Sequence, residues 1–144
     1  MFKTLKKRIK NEKGLSLVEL LAVIVILGII SAIAVPAIGS IIENTRDKAI
    51  LSDAAGLLAG AKIAIADGSC GVAAGTDGII TCDNDILGDV FEGTLAANDQ
   101  VTYNTTSKVY TITYGELGNI KNTDKFPVTG TTISSSELTT LMGQ

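Results

Sequence analysis

A basic leader joins a long apolar segment at Lys13-Gly14-Leu15-Ser16-Leu17-Val18-Glu19. Six of the first 13 residues are Lys or Arg and only Glu12 is acidic, whereas residues 20–42 carry no charge. A helix of about 20 apolar residues is long enough to cross a bilayer core. Because basic flanks stay in the cytoplasm, the sequence predicts a single membrane-spanning helix with its N-terminus inside and the rest of the chain outside.

The small residue of this region, Gly14, lies before the apolar segment. In a secretory signal, a shorter apolar region ends at a small-residue cleavage site. Cleavage after Gly14 would remove the basic residues and leave the apolar helix on the mature protein. The sequence therefore divides into a basic leader at 1–14, a hydrophobic helix at 15–42 and a globular head at 43–144.

The run KGLSLVELLAVIVILGIISAIAVP at residues 13–36 resembles the class III leader and helix start of type IV pilins, and the resemblance extends to about Thr45. It implies that a prepilin peptidase cleaves between Gly14 and Leu15 and that the new amine of Leu15 is methylated. The first mature residue of that family is most often Phe, and Leu15 departs from the pattern. The alternative for Gly14 is a chance glycine in a flexible leader.

The resemblance also implies that Glu19, the fifth residue of the mature chain, acts in filament assembly. An ionised carboxylate costs ~2.5–3.5 kcal/mol at the membrane centre, and an unpaired buried charge is far worse than a paired one. The amine of Leu15 in one subunit could pair with Glu19 of a neighbour inside an apolar core. The alternative is that Glu19 is an interfacial acid accepted near the lipid headgroups.

Two residues of the apolar helix match helix-softening positions of the family, Gly28 and Pro36. Pro36 removes a backbone donor and clashes with the preceding turn, and Gly28 adds backbone freedom. We expect a kink in the monomer and local unwinding in a filament. The alternative is that neighbouring helices tolerate Gly and Pro, which are common in membrane helices.

The predicted fold class is α+β, with a small antiparallel sheet packed on the second half of one long helix at about 15–66. Its apolar residues recur at helical spacing beyond Glu43, at Ile50, Ala54, Leu57, Ala61 and Ile65. An amphipathic helix is therefore expected at 43–66. A connector is predicted at 67–99, with at most a short helical piece around Ile86–Phe91.

Residues 100–133 are predicted to form the sheet. Alternation at Val101 and Tyr103, and at Tyr110, Ile112 and Tyr114, predicts a hairpin over Gln100–Tyr114 with its turn at 104–107. One or two further strands are expected around Ile120 and 126–129. Ser134 and Glu137 resemble a capping box that opens a last helix at 134–142. We interpret the three tyrosines as residues that pack within the sheet. The alternative is that their rings form a platform for binding.

Cys70 and Cys82 lie close together in a part of the chain predicted to be exported, and this spacing predicts a disulfide across the connector. The alternatives are free thiols or a metal pair. Asp83, Asp85 and Asp89, with Glu92, are candidate calcium ligands because calcium favours oxygen donors. A solvated acidic loop is the preferred interpretation, so no metal or other cofactor is predicted.

Composition argues against an enzyme. The chain contains no His, which removes His-dependent nucleophilic arrangements and the commonest zinc ligand. Removal of residues 1–14 takes away six of the 12 basic and one of the 15 acidic residues, which leaves a net charge of −8. A surface of this charge is not expected to bind nucleic acid directly, since binding to the phosphate backbone needs clustered Lys and Arg.

The expected function is therefore that of a structural pilus subunit, exposed on the cell surface and serving adhesion, motility or surface interaction. The resemblance implies the partners: further copies in a helical homopolymer, the prepilin peptidase, the inner-membrane assembly platform with its ATPase, and the cytoplasmic membrane before assembly. One alternative is a pseudopilin of a type II secretion or competence DNA-uptake system. Another is a monomeric anchored binding module, which would not need the signature at 14–19.

Overall fold

One helix, α1, runs continuously from Phe2 to Asp67. The computed structural model describes residues 2–72 and 78–143, with side chains from Ser16 onward. The helix begins earlier than the predicted start at Leu15, because residues 2–13 are mostly good helix formers and contain neither Gly nor Pro. It ends one residue after the predicted Ala66.

The chain divides into two units, the first ending at Ile42 and the second beginning at Glu43. The first unit is helical over its described length, and its large apolar side chains from Leu17 to Ile42 are all more than half exposed. Among the described residues α1 is the one helix long and apolar enough to cross a membrane.

The second unit, which we call the head, contains a five-stranded antiparallel sheet in the order β1-β2-β3-β4-β5. The strands are β1 Gly71–Val72, β2 Ile79–Cys82, β3 Gln100–Asn104, β4 Val109–Thr113 and β5 Thr132–Ser134. Two short helices complete it, α2 at Asn84–Val90 and α3 at Ser135–Met142. The predicted α+β class and antiparallel sheet are confirmed.

The expectation that the connector at 67–99 holds at most a short helical piece is wrong, because this segment also supplies β1 and β2. β2 is a run of four residues, Ile-Ile-Thr-Cys, which is too short to show a period of two by itself. It is held as a strand by pairing with β3, where Ile80 lies opposite Tyr103. The short helical piece predicted at Ile86–Phe91 is present as α2, which begins two residues earlier, at Asn84, and ends at Val90.

The predicted hairpin is confirmed as β3 and β4. Val101 pairs with Ile112, and Tyr103 pairs with Tyr110. The Asn104 side chain accepts hydrogen bonds from the backbone N–H groups of Thr106 and Ser107, both at 2.9 Å. This is the local side-chain bonding that favours Asn in turns, and the hairpin register follows from it.

The strands expected around Ile120 and 126–129 are absent from the described structure, and this prediction is wrong. A 3-10 helix occupies Gly115–Asn119 instead, and β5 follows later. Pro127 has no backbone donor for a ladder. The backbone N–H groups of Lys121 and Asn122 donate to the side chain of Asp47, so they are not available to a neighbouring strand.

The core of the head lies between α1 and the sheet. On α1 the predicted stripe is buried at Ile50, Ala54, Leu57 and Ala61, and Ile65 is half-buried against the cluster. Leu51 and Asp47 of α1 are also fully buried. The sheet, α2, α3 and the intervening segments contribute further fully buried large side chains: Cys82, Leu87, Val101, Ile112, Leu117, Phe126 and Leu138. The capping box predicted at Ser134 and Glu137 opens α3.

Candidate functional site: the N-terminal segment

The predicted processing and assembly residues all lie on α1. Gly14 and Leu15 are helical in the uncleaved chain, and Glu19 follows Leu15 by four residues. Residues four apart lie on the same side of a helix. After cleavage, the new amine of Leu15 and the Glu19 carboxylate would therefore share one side of the helix, separated by one turn.

Glu19 is exposed and has apolar neighbours along the helix. Leu17, Val18 and Leu20 are 66–67 % exposed. A carboxylate at the edge of an apolar helix is costly to bury unpaired, and its position beside the lipid headgroups or beside a cation lowers that cost.

The apolar surface of the first unit is far larger than a soluble monomer normally exposes. It includes, from N- to C-terminus, Leu17, Val18, Leu20, Leu21, Val23, Ile24, Val25, Ile26, Leu27, Ile29, Ile30, Ile33, Val35, Ile38, Ile41 and Ile42. These side chains lie on all sides of the helix, so one docked helix could not cover them. A membrane, or several neighbouring helices, is required.

Gly28 and Pro36 are both inside α1, and the helix is continuous across them. A Cβ at Gly28 would meet no atom within 4 Å. Packing within the described chain therefore gives no reason for a glycine there. A requirement for backbone freedom, or for close approach by another subunit, would give one.

The predicted cysteine pair forms a disulfide that joins Cys70, after the end of α1, to Cys82 at the end of β2. Cys82 is fully buried in the core cluster. With a sequence separation of 12, the closed loop would stabilise the head by roughly 3 kcal/mol according to the loop-entropy model. The bond fixes β2 to the end of the helix on which the sheet packs.

The acidic residues after Cys82 do not converge. The Asp83 side chain caps α2 and accepts from the Ile86 N–H at 3.4 Å. Asp85 and Asp89 are exposed. Within residues 16–72 and 78–143, no three carboxylates or thiols are grouped so that they could hold a metal ion.

Sequence reasoning missed two buried carboxylates, Asp47 and Asp99. Asp99 accepts from the backbone N–H groups of Ala96 at 2.8 Å and Gly115 at 2.7 Å. Asp47 is fully buried and accepts from Lys121 and Asn122. The burial of Asp47 is predictable from the sequence, because Asp47 lies one helical turn before Ile50 and Leu51 and so extends the buried stripe. No sequence pattern predicts the burial of Asp99.

The tyrosines pack within the head. The rings of Tyr103 and Tyr110 stack with centroids 4.4 Å apart, and the Lys62 ammonium lies 5.2 Å from the Tyr110 ring centre. Tyr114 is buried and meets Phe91 edge-on. Burial, followed by the negative charges of Asp53, Glu116 and Asp99, raises the pKa of Tyr114. This arrangement agrees with the interpretation as sheet packing.

A groove of about 480 Å³ runs beside α3 and includes Glu137, Thr132 and Ser136 in its walls. Ser134 engages the Glu137 carboxylate through both its hydroxyl and its backbone N–H. These bonds lower the pKa of Glu137. The carboxylate is therefore a helix cap, and its surroundings do not raise its pKa as a general acid would require.

The comparisons with known proteins bear on the N-terminal segment. The family model described as the prokaryotic N-terminal methylation motif matches residues 9–35. The match contains Gly14, Leu15, Glu19 and Gly28, and Pro36 follows it by one residue. No curated protein and no solved structure matches the chain.

The motif is typical of structural subunits and not of an enzyme family. Together with the exposed apolar helix, it supports anchoring in a membrane. A long N-terminal helix followed by a small antiparallel sheet is the layout that the residue spacing predicted. These observations support a type IV pilin-like family for the chain.

Proposed function

We propose that this chain is the precursor of a structural subunit of a type IV pilus. A prepilin peptidase cleaves it between Gly14 and Leu15, the new amine of Leu15 is methylated, and the mature chain assembles into an extracellular helical filament. Such a filament serves adhesion, motility or surface interaction. The observation that carries the proposal is the methylation motif at residues 9–35 on a helix whose apolar side chains are exposed on every side.

The same apolar surface serves two environments in turn. Before assembly the membrane covers it, with the head outside. In the filament, neighbouring copies of α1 cover it. Lipid tails are as apolar as these side chains, so close packing of the helices and pairing of polar groups, and not removal from water, favour the bundle over the membrane. Packing of this kind is head-to-tail and repeats without closing, which is how filaments form.

Glu19 sets the register of that packing. The amine of Leu15 exists only after cleavage, and in a staggered bundle it can meet Glu19 of the next copy. A slipped register would bury both charges without partners, which costs several kcal/mol more than a paired arrangement. Cleavage at Gly14 therefore creates the cation that the assembly contact needs.

Replacement of Glu19 tests this role. We expect Glu19→Ala to leave processing largely intact, because cleavage depends on Gly14, but to reduce sheared surface fibres at least tenfold. Immunoblots of membrane and sheared fractions measure both quantities. The matched control is Glu43→Ala, which removes an exposed carboxylate just beyond the apolar segment and should leave fibres unchanged. Normal fibres from Glu19→Ala would overturn the proposed role.

A further inference from the structure

The charges of the head are divided between two regions. Four of its six basic residues lie in residues 43–48 and 121–125, a surface that we call the basic collar: Arg46, Lys48, Lys121 and Lys125. The collar also contains Glu43, Asp47 and Asp124, so its net side-chain charge is +1. The rest of the head has two basic and ten acidic residues, a net charge of −8.

Hydrogen bonds hold the two parts of the collar together. Asp47 accepts from Lys121 N–H at 3.1 Å and from Asn122 N–H at 2.8 Å. The Asn122 side chain donates to Asn44 at 2.7 Å and accepts from the Lys125 N–H at 3.1 Å. Residues 121–125 are thereby fixed beside the start of the head's part of α1.

The acid in the middle of the collar is not at its surface. Asp47 is fully buried and both of its oxygens accept from backbone donors. The exposed charged residues of the collar are therefore four basic and two acidic: Arg46, Lys48, Lys121 and Lys125, with Glu43 and Asp124.

The collar directly follows the apolar segment in the chain. Arg46 is four residues after Ile42 on the continuous helix α1, a rise of about 6 Å at 1.5 Å per residue. The polar headgroup layer on each side of a bilayer is roughly 5–7 Å thick. When the apolar segment spans the membrane, Arg46 is therefore within reach of this layer.

We propose that the basic collar binds anionic phospholipid headgroups at the outer surface of the membrane before assembly. Clustered Lys and Arg beside a membrane helix are attracted to anionic lipids. The remaining −8 charge of the head is repelled by the same surface, so the collar faces the lipid and the acidic region faces away. The inference rests on the membrane-anchored state of the proposed function, but not on filament formation.

A second copy of the chain is the competing partner, because its acidic region could also meet the collar. The position of the collar next to the membrane segment favours lipid, since every anchored copy places it there. Experiments that vary the lipid composition and the number of chains per vesicle distinguish binding of lipid from binding of a second copy. Lipid binding requires anionic headgroups, whereas binding of a second copy rises with the number of chains per vesicle.

Proteolysis of the full chain in vesicles tests the proposal. Trypsin cleaves after Lys121 and Lys125 in the collar. It also cleaves after Lys108 in the turn between β3 and β4, and cleavage there serves as the internal reference. Vesicles contain phosphatidylcholine alone, or an equal mixture with phosphatidylglycerol. We expect the cleavage rate at the collar, relative to Lys108, to fall about fivefold or more in the anionic vesicles, and to recover in high salt.

Two variants with the same change of charge make the result specific. Arg46→Gln should weaken the protection of Lys121 and Lys125, whereas Lys62→Gln, elsewhere on α1, should leave it unchanged. Equal relative rates in the two kinds of vesicle would overturn the proposal. So would protection that appears in phosphatidylcholine alone and grows with protein density, which would assign the collar to a second copy. Neither result depends on whether Glu19→Ala forms fibres.

Discussion

Asp47 shows how a single residue joins distant parts of the head. Its carboxylate lies on α1 and accepts hydrogen bonds from a loop more than 70 residues later in the chain. Hydrogen bonds to an ionised acceptor are stronger than neutral ones. They also satisfy buried backbone donors that would otherwise cost free energy. Asp47 therefore fixes the loop that carries half of the basic collar.

We expect Asp47→Ala to lower the free energy of unfolding of the head by about 2–4 kcal/mol, because the backbone donors of Lys121 and Asn122 lose their acceptor. Urea unfolding of the chain in detergent, followed by tyrosine fluorescence, measures this, since all three tyrosines lie in the head. Asp53→Ala removes an exposed carboxylate from the same helix and should change stability little. Similar losses in the two variants would contradict the role of Asp47.

The hydrogen bonds of Glu137 predict that the stability of the head depends on pH. Its pKa is lowered from 4.5 by the hydrogen bonds from Ser134, so the folded state favours the charged form. The resulting stabilisation is fully present above the unfolded pKa and is lost as the pH falls through the lower, folded pKa. Glu137→Ala should therefore lower Tm at pH 7, and the difference from the parent chain should shrink below about pH 4. A Tm difference that stays constant from pH 7 to pH 3 would contradict this assignment.

At the scale of elements, the last residue of α2 contacts α1 at a glycine. A Cβ on Gly60 would lie 2.9 Å from Val90 Cγ2 and 3.1 Å from the Val90 carbonyl oxygen. The carbonyl belongs to the backbone and cannot turn away. At Gly56, one turn earlier, a Cβ would make an ordinary contact of 3.4 Å with the Phe91 ring. The close approach of α2 therefore depends on Gly60 and not on Gly56.

Alanine at these two positions should have opposite effects. Alanine gains about 1 kcal/mol over glycine in helix propensity, while overpacking costs about 1–3 kcal/mol. Gly60→Ala should therefore lower the free energy of unfolding by about 1 kcal/mol, and Gly56→Ala should leave it unchanged or raise it. Urea unfolding of both variants measures the difference. A stabilised Gly60→Ala would show that α2 does not pack as described.

Elements with a strong local pattern could be predicted from the sequence. The stripe from Ile50 to Ala61 predicts the packed face of α1, and the capping box at Ser134 predicts the start of α3. β1, β2 and β5 could not be predicted, because each has two to four residues. These strands exist through pairing with residues that are distant in sequence, so a local pattern is absent.

At the N-terminus, the candidate functional residues can be predicted almost entirely from the residue types. Gly14 and Glu19 are meaningful because of their positions relative to the apolar segment, which can be read directly from the sequence. The hydrogen bonds of Asp47 and the collar could not be read in this way. They depend on a loop that returns to α1 after four strands.

At the scale of the whole molecule, two units with different chemistry share one chain. The first is an apolar helix without a partner in the described structure. The second is an acidic head with its own core and a disulfide. This division suits a subunit whose helix leaves the membrane for a filament core while its head remains in water.

The most direct test is mass spectrometry of surface fibres sheared from cells that make this protein. We expect the dominant species to be the chain beginning at Leu15, with one methyl group on its amine and the Cys70–Cys82 disulfide intact. An antibody against the head controls for protein left in the membrane. The account would be contradicted if the chain were abundant in the membrane but a trace component of the fibres, or if it still carried residues 1–14.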